Sequence, residues 1–239
     1  MSNVSSQEGN YTLRRATLSD ITPLTRNVIP HVSHDGFHDY FFPKQDAYPD
    51  DFYRWWRRYY RNILLRPYSV LFIAEDEQGG MKGLGMWTFA RGKGVSGPEG
   101  LDIAKDSWFE DVSTPGSTSS KTKSAPTAAP TTPHSSNGEK TVIEFGKKLF
   151  VGDDVVHWMC PEFIVFPDFK SGEDKTELMA ALAPVVHGWG IKQSDIDGIS
   201  AWALCTIKEK AVYEKEGYEL VQEVQCGPST CFAMKYRGE

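Results

Sequence analysis

The sequence predicts a mixed β-sheet with helices on both faces, an α/β fold of the α+β mixed-sheet kind. Three observations predict it. Short apolar runs of strand length alternate with segments whose apolar residues recur at helical spacing. Two pairs of such runs are separated only by turn residues and read as hairpins, one before the middle of the chain and one at its end. One further run, residues 155–167, is apolar along most of its length, as a strand covered on both faces must be.

The elements follow in order. Residues 11–16 alternate and read as a strand. Ser19 is placed to cap a helix carrying Ile21, Leu24 and Val28 on one face, and Pro30 is expected to end it. A polar and aromatic stretch, residues 31–48, leads to Pro49 and Asp50, which open a second helix. Its expected apolar spine is Phe52, Trp55, Tyr59 and Ile63, with Arg54, Arg57, Arg58 and Arg61 on the other side. Residues 68–74 and 82–91 form the first hairpin around a turn at 75–80.

Composition changes at about Val112. Residues 112–138 are mostly Ser, Thr, Pro, Ala and Lys, too polar to offset chain entropy by burial, so they read as a disordered insertion in a surface loop. Order is expected to return at residues 141–145. The long strand 155–167 follows, then a helix over 173–187 with Leu178, Leu182 and Val185 inward, kinked or shortened by Pro184. Residues 199–205 are a buried strand. Thr206 and Glu209 make a capping box for a short helix that Gly217 stops. Residues 220–224 and 231–236 close the chain as a hairpin. The expectation is one domain over residues 11–236 with a flexible N-terminus over 1–10.

Bulk properties narrow the function. The chain has 239 residues, 40% hydrophobic and 24% charged, with a net charge of −6. An acidic balance argues against nucleic acid or an anionic membrane surface, both of which need a positive field. No apolar run is long enough to span a bilayer, and residues 1–10 do not resemble a secretion signal, so a cytoplasmic protein is expected. The four cysteines lack zinc-type spacing. Cys160 and Cys205 read as buried thiols, and Cys226 and Cys231 bracket a turn where they could face each other, with the reduced form favoured. His31, His34 and His38, with Asp35 and Asp39, fit no standard metal site, and no metal is expected. The aromatics of the Arg-rich helix recur at core spacing, which favours packing over base stacking.

Two stretches carry a resemblance. The first is His157-Trp158-Met159-Cys160-Pro161-Glu162-Phe163-Ile164-Val165-Phe166-Pro167-Asp168-Phe169-Lys170. The second is Cys205 to Glu219, with Tyr213-Glu214-Lys215-Glu216-Gly217-Tyr218 at its core. Together, in this order, they resemble the central strand and the following signature helix of the GNAT superfamily, the acyl-CoA-dependent N-acyltransferases, in its fungal-type small-molecule branch. The likeness runs from Tyr11 to Tyr236, apart from the insertion.

The resemblance implies a GNAT fold, acetyl-CoA as cosubstrate and a small-molecule primary amine as acceptor. It implies a central strand that splays from its neighbour, so that open backbone groups at Phe163 and Val165 pair with the pantetheine arm. It places the pyrophosphate on the turn Lys170-Ser171-Gly172-Glu173-Asp174-Lys175. That turn departs from the family spelling: Glu173 and Lys175 hold the two glycine positions, and Gly172 lies one place early. The amides remain, but two carboxylates stand where a diphosphate is expected. Tyr213 matches the family tyrosine that protonates the departing thiolate. For the base, Glu162 and His157 both stand open as alternatives. Strand alternation sets Glu162 and Ile164 on the face opposite Phe163 and Val165. Residues 31–48, with Phe37, Tyr40, Phe41 and Phe42, fall where the family's acceptor loop lies. A monomer or homodimer is expected. The alternative is a degenerate or repurposed GNAT scaffold that binds without this chemistry.

Overall fold

The computed structural model describes residues 7–8, 10–33, 38–39, 42–66, 68–91, 156–168, 170–226 and 228–238. The expected insertion at 112–138 and the strand at 141–145 lie outside the described residues.

Among the described residues, eight strands form one sheet: β1 (Gln7–Glu8), β2 (Tyr11–Arg15), β3 (Ser69–Asp76), β4 (Met81–Arg91), β5 (Val156–Val165), β6 (Ser200–Thr206), β7 (Glu219–Cys226) and β8 (Ser229–Tyr236). Their spatial order is β1-β2-β3-β4-β5-β6-β8-β7. All neighbours are antiparallel except β5 and β6, which run parallel. Part of the N-terminal stretch expected to be flexible is therefore paired, as the short strand β1 on β2.

Helices α1 (Ile21–Val32) and α2 (Pro49–Leu64) cover one face. Their apolar stripes close on Leu71, Ile73, Leu84, Met86, Ile164 and Phe166. The buried stripe of α2 is Phe52, Trp56, Tyr60 and Ile63. The expected Trp55 and Tyr59 sit one position off it, half-buried, because the helix turns its Trp56 edge inward. The entry to α1 also differs from expectation. A 3-10 turn at Leu18–Asp20 precedes it, closed by a capping box between Thr17 and Asp20 rather than by Ser19. Pro30 does not end α1, which runs on to Val32. So near the C-terminus a proline removes only one intrahelical donor, and Ser33 satisfies the Ile29 carbonyl through both its N–H and its hydroxyl.

Helix α3 (Lys175–Asp197) and helix α4 (Ile207–Lys215) cover the other face. Helix α3 continues for 23 residues past Pro184, longer than the predicted span, so Pro184 does not shorten it. Pro184 deprives the Ala180 carbonyl of its partner, but Ala180 is exposed, where water can replace the lost bond. Two glycines let α3 lie close to β4. A Cβ on Gly85 would come within 2.1 Å of Val186, and one on Gly190 within 2.1 Å of the Trp87 ring. The Trp87 indole then donates to the Val186 carbonyl at 3.1 Å, and the Trp158 indole to Asp197 at 2.7 Å, pinning the middle and end of the helix. Gly198, at φ 67°, terminates it in the left-handed conformation.

Helix α4 begins as predicted: Thr206 and Glu209 form the capping box, and Gly217 at φ 86° follows its end. In the last hairpin Cys231 pairs with Val224, and Cys226 pairs with Ser229, so the two cysteines are not opposite each other. Cys160, Cys205 and Cys231 are buried.

Candidate active site

The site starts from a fault in the sheet. Strands β5 and β6 pair from His157 with Ser200 to Cys160 with Ala203, and no further. The residue after Cys160 is Pro161, which has no N–H to continue a ladder. On the β4 side the register slips at the same place: Met86 pairs with Glu162 but Thr88 with Met159, so Cys160 and Pro161 together stand opposite Trp87. A bulge of this kind bends the strand. Beyond it β5 follows β4 and leaves β6.

Backbone direction follows from alternation along the strand. The Phe166 N–H donates to the Lys82 carbonyl at 2.7 Å, which turns Phe166, Ile164 and Glu162 toward β4. The N–H and C=O groups of Phe163 and Val165 are therefore turned to the gap. Side chains alternate the other way. Ile164 packs with the α1 and α2 layer, and Phe163 and Val165 with the α3 layer, as predicted.

The gap widens into a cleft of about 890 Å³. Its walls come from β5 (Pro161 to Ile164), the start of α3 (Lys175, Thr176, Met179), the end of β6 with the start of α4 (Leu204 to Glu209), and β8. His31 and Val32 of α1, with His38, close the side where the acceptor loop was expected. The intervening Phe37, Tyr40 and Phe41 lie outside the described residues, and Phe42 packs edge-on against Phe52 and Trp55 at 5.0 and 4.8 Å.

Three glutamates line this cleft, Glu162, Glu209 and Glu223; Glu209 is taken up in the capping box with Thr206, and Glu162 is the one on β5. Its Oε2 is buried without a hydrogen-bond partner. Burial raises its pKa to about 8, against a smaller lowering by the Tyr60 phenol. A carboxylate is held near neutrality in this way only when its charged form is poorly solvated. Nearby, burial and then the Lys175 ammonium hold His31 below the ordinary imidazole value.

The other predicted residues fall in different places. His157 sits on the still-paired part of β5, 3% exposed, with Trp202 edge-on at 6.4 Å. It is not in the cleft wall, whereas Glu162 is. The reason is pairing: where β5 and β6 are joined, side chains go into packed layers. Tyr213 is also buried, 3% exposed, and like His157 it is not in the cleft wall. Its ring stacks on His187 at 4.3 Å, and the Cys160 thiol lies within hydrogen-bond reach of its phenol. Burial, then the neighbouring Cys160, raise its pKa well above the ordinary phenol value, so it stays protonated.

Sequence reading missed His187. It is fully buried on α3, with neither ring nitrogen partnered, and burial lowers its pKa to about 3. It touches Phe163 edge-on at 4.8 Å, so it backs the wall of the cleft. Nothing in its local sequence separates it from an ordinary helix residue.

The turn at residues 168–177 is ordered by its own acids. Asp174 is the N-cap of α3, accepting from Thr176 N–H at 2.8 Å and Glu177 N–H at 2.9 Å. Glu173 is held by Lys82 at 3.1 Å and by the Asp168 N–H at 2.8 Å. Gly172 has φ 77°, a left-handed conformation that its position in this tight turn requires. Lys170 and Ser171 are exposed at its tip. Lys175 and Thr176 alone of this stretch reach the cleft wall. Among the described residues no group of three or more metal-binding side chains occurs, and no helix is long and apolar enough to cross a membrane.

No family model matches this sequence, and no curated protein matches it. Solved structures do. The histone acetyltransferase HPA2 and related acetyltransferase of Corynebacterium glutamicum is similar with a TM-score of 0.55, covering 96% of this chain and 97% of that one, at 14% identity. An uncharacterized protein of Bacillus halodurans is similar with a TM-score of 0.54, covering 99% of this chain and 90% of that one, at 10% identity. At such identities the likeness speaks for the fold and not for the chemistry. The chain has the mixed α/β fold of the GNAT acetyltransferases, with the parallel pair β5 and β6 splayed at its centre.

Proposed function

We propose that the chain is an N-acyltransferase that moves an acyl group, most simply acetyl, from acetyl-CoA or a related thioester to a primary amine of a small molecule. One observation carries this reading: the splayed β5–β6 pair opens a cleft whose wall holds Glu162, a half-buried residue with its Oε2 buried and unpartnered. The open backbone groups of Phe163 and Val165 suit the two amides of a pantetheine arm. Residues 170–175 were the expected phosphate turn, and Lys175 with Thr176 is the part of it that borders the cleft.

An amine is protonated at neutral pH and must lose a proton before it attacks. With a pKa of about 8, Glu162 is strong enough as a base to take that proton, and its Oε2 has no hydrogen-bond partner. The amine then attacks the thioester carbonyl. Tyr213, protonated and set behind Cys160, is the group we assign to return a proton toward the leaving sulfur. His157 has no part in this scheme. The chain would act in the cytoplasm as one domain, monomeric or homodimeric, without nucleic acid or membrane.

A second reading has its own observation. The acids of the 168–177 turn leave the scaffold well formed but poorly suited to a diphosphate, as in a GNAT fold kept for binding alone. Incubation with acetyl-CoA and a panel of small primary amines, following thiol release and product mass, separates the two. Acetylated amine that disappears with Glu162→Gln supports the transferase. No thiol release with any amine, and no calorimetric signal at millimolar acetyl-CoA, favours the binding scaffold.

A further inference from the structure

The cleft and the turn that ends it suit different parts of a coenzyme. Along β5 the backbone of Phe163 and Val165 is turned to the gap and pairs with nothing on β6. At the head of α3 the helix dipole and free amides would ordinarily favour a phosphate. Here the chain has already filled six amides of the turn and helix start. The Asp168 N–H donates to Glu173 at 2.8 Å and the Lys170 N–H to the Asp168 carboxylate at 2.9 Å. The N–H groups of Ser171 and Glu173 both donate to the Asp168 carbonyl, at 3.1 and 3.3 Å. Those of Thr176 and Glu177 donate to the Asp174 carboxylate at 2.8 and 2.9 Å. Glu173 is fixed further by Lys82, at 3.1 Å, so the one lysine reaching in from β4 is neutralised as well. A diphosphate at this turn would have to displace the carboxylates of Asp168, Glu173 and Asp174 and then lie beside them.

We propose that this chain takes its acyl group from a pantetheine thioester recognised by the arm and the thioester, with the adenosine diphosphate end of CoA contributing little. The proposal rests on the acyl-transfer reading above and names its donor. The chemistry balances without a further reactant. The acyl carbon–sulfur bond breaks and a carbon–nitrogen bond forms. The sulfur leaves with the electron pair and becomes a thiol on protonation, while Glu162 holds the proton lost by the amine. The donor thioester can be free or borne on a protein, and both share the arm.

The experiment compares acetyl-CoA, acetyl-pantetheine and an acetylated pantetheinyl carrier protein with one accepted amine. We expect kcat/KM for acetyl-pantetheine within about tenfold of that for acetyl-CoA, because remote groups that bind nothing add nothing to the transition state. A preference for acetyl-CoA of about a hundredfold or more overturns the proposal. A carrier-borne donor faster than both small thioesters assigns the source to a protein, and equal rates assign it to a free thioester. Calorimetry adds a readout apart from turnover: CoA and pantetheine should bind alike and ADP should be silent, whereas heat from ADP, or CoA binding far more tightly than pantetheine, overturns the proposal. If no donor transfers while these binding results hold, the acyl-transfer reading fails on its own account. Asp174→Ser keeps a capping hydroxyl and removes the charge. With its fold confirmed by melting, it should raise the preference for acetyl-CoA over acetyl-pantetheine about tenfold, and an unchanged ratio overturns the role given to Asp174.

Discussion

His157 and Glu162 lie on the same strand, and the sequence offered both as a base. Yet one is packed beneath Trp202 where β5 and β6 are joined, and the other lines the cleft where they part. The difference teaches that strand pairing, more than residue type, decides which side chains meet a ligand. A histidine inside a continuous ladder is surrounded on every side. A glutamate just past the last rung keeps one oxygen free. The break falls at Pro161, so a single missing N–H sits between a structural residue and a candidate catalytic one.

The largest expected effect sharpens this contrast. Glu162→Gln should lower kcat/KM at neutral pH by about a hundredfold or more, the usual scale for a lost general base. Steady-state kinetics with an accepted amine would measure it, and a variant as fast as the parent would move the base elsewhere. His157→Asn should do the opposite, costing stability, about 2 kcal/mol for disturbing a buried polar group, while sparing turnover per folded molecule. Denaturant melts alongside active-site normalised rates would test that.

Next in size is Tyr213→Phe, expected to slow turnover about tenfold with a smaller change in donor affinity, since only the proton donor is lost. Equal turnover would remove Tyr213 from the scheme.

The pH dependence gives a fourth test, with opposite signs for rate and stability. Glu162 titrates near 8 in the folded chain, above its value when unfolded. Between the two values the folded state holds the extra proton, so its contribution to stability is full at low pH and is lost as pH rises through about 8. The rate should rise over the same limb, because the base acts as a carboxylate. Melting temperatures of the parent should therefore fall toward pH 9 relative to those of Glu162→Gln. Parallel curves for the two would show that Glu162 does not titrate there.

The smallest effect concerns the open edge itself. Hydrogen exchange should find the amides of Phe163 and Val165 fast and that of Ile164, turned to β4, slow. A bound acetyl thioester should slow the first two.

Much of the fold was legible because its signals are local. The strand β5, the capping box of Thr206 with Glu209, the glycine stop at Gly217 and the closing hairpin each depend on residues near in sequence. The failures were local too, but depended on what the element packs against. Pro30 was read as a stop and Pro184 as a kink or early end, yet each helix continues, because proline removes a single intrahelical donor and at Pro184 the carbonyl left over belongs to exposed Ala180, where water can take it up. The spine of α2 was misplaced by one residue at Trp56, since several aromatics in a row fit more than one stripe.

The sequence by itself determined the order of elements, the opposite faces of Glu162 and Phe163, and the acids of the turn after β5. Tertiary structure decided what those residues meet. It placed Lys82 against Glu173, set His187 behind Phe163, put His157 inside a ladder and Glu162 outside it. The physical reason is one of range. Alternation and capping act between residues close along the chain, whereas burial, ion pairing and the point where two strands part depend on residues brought together from distant segments.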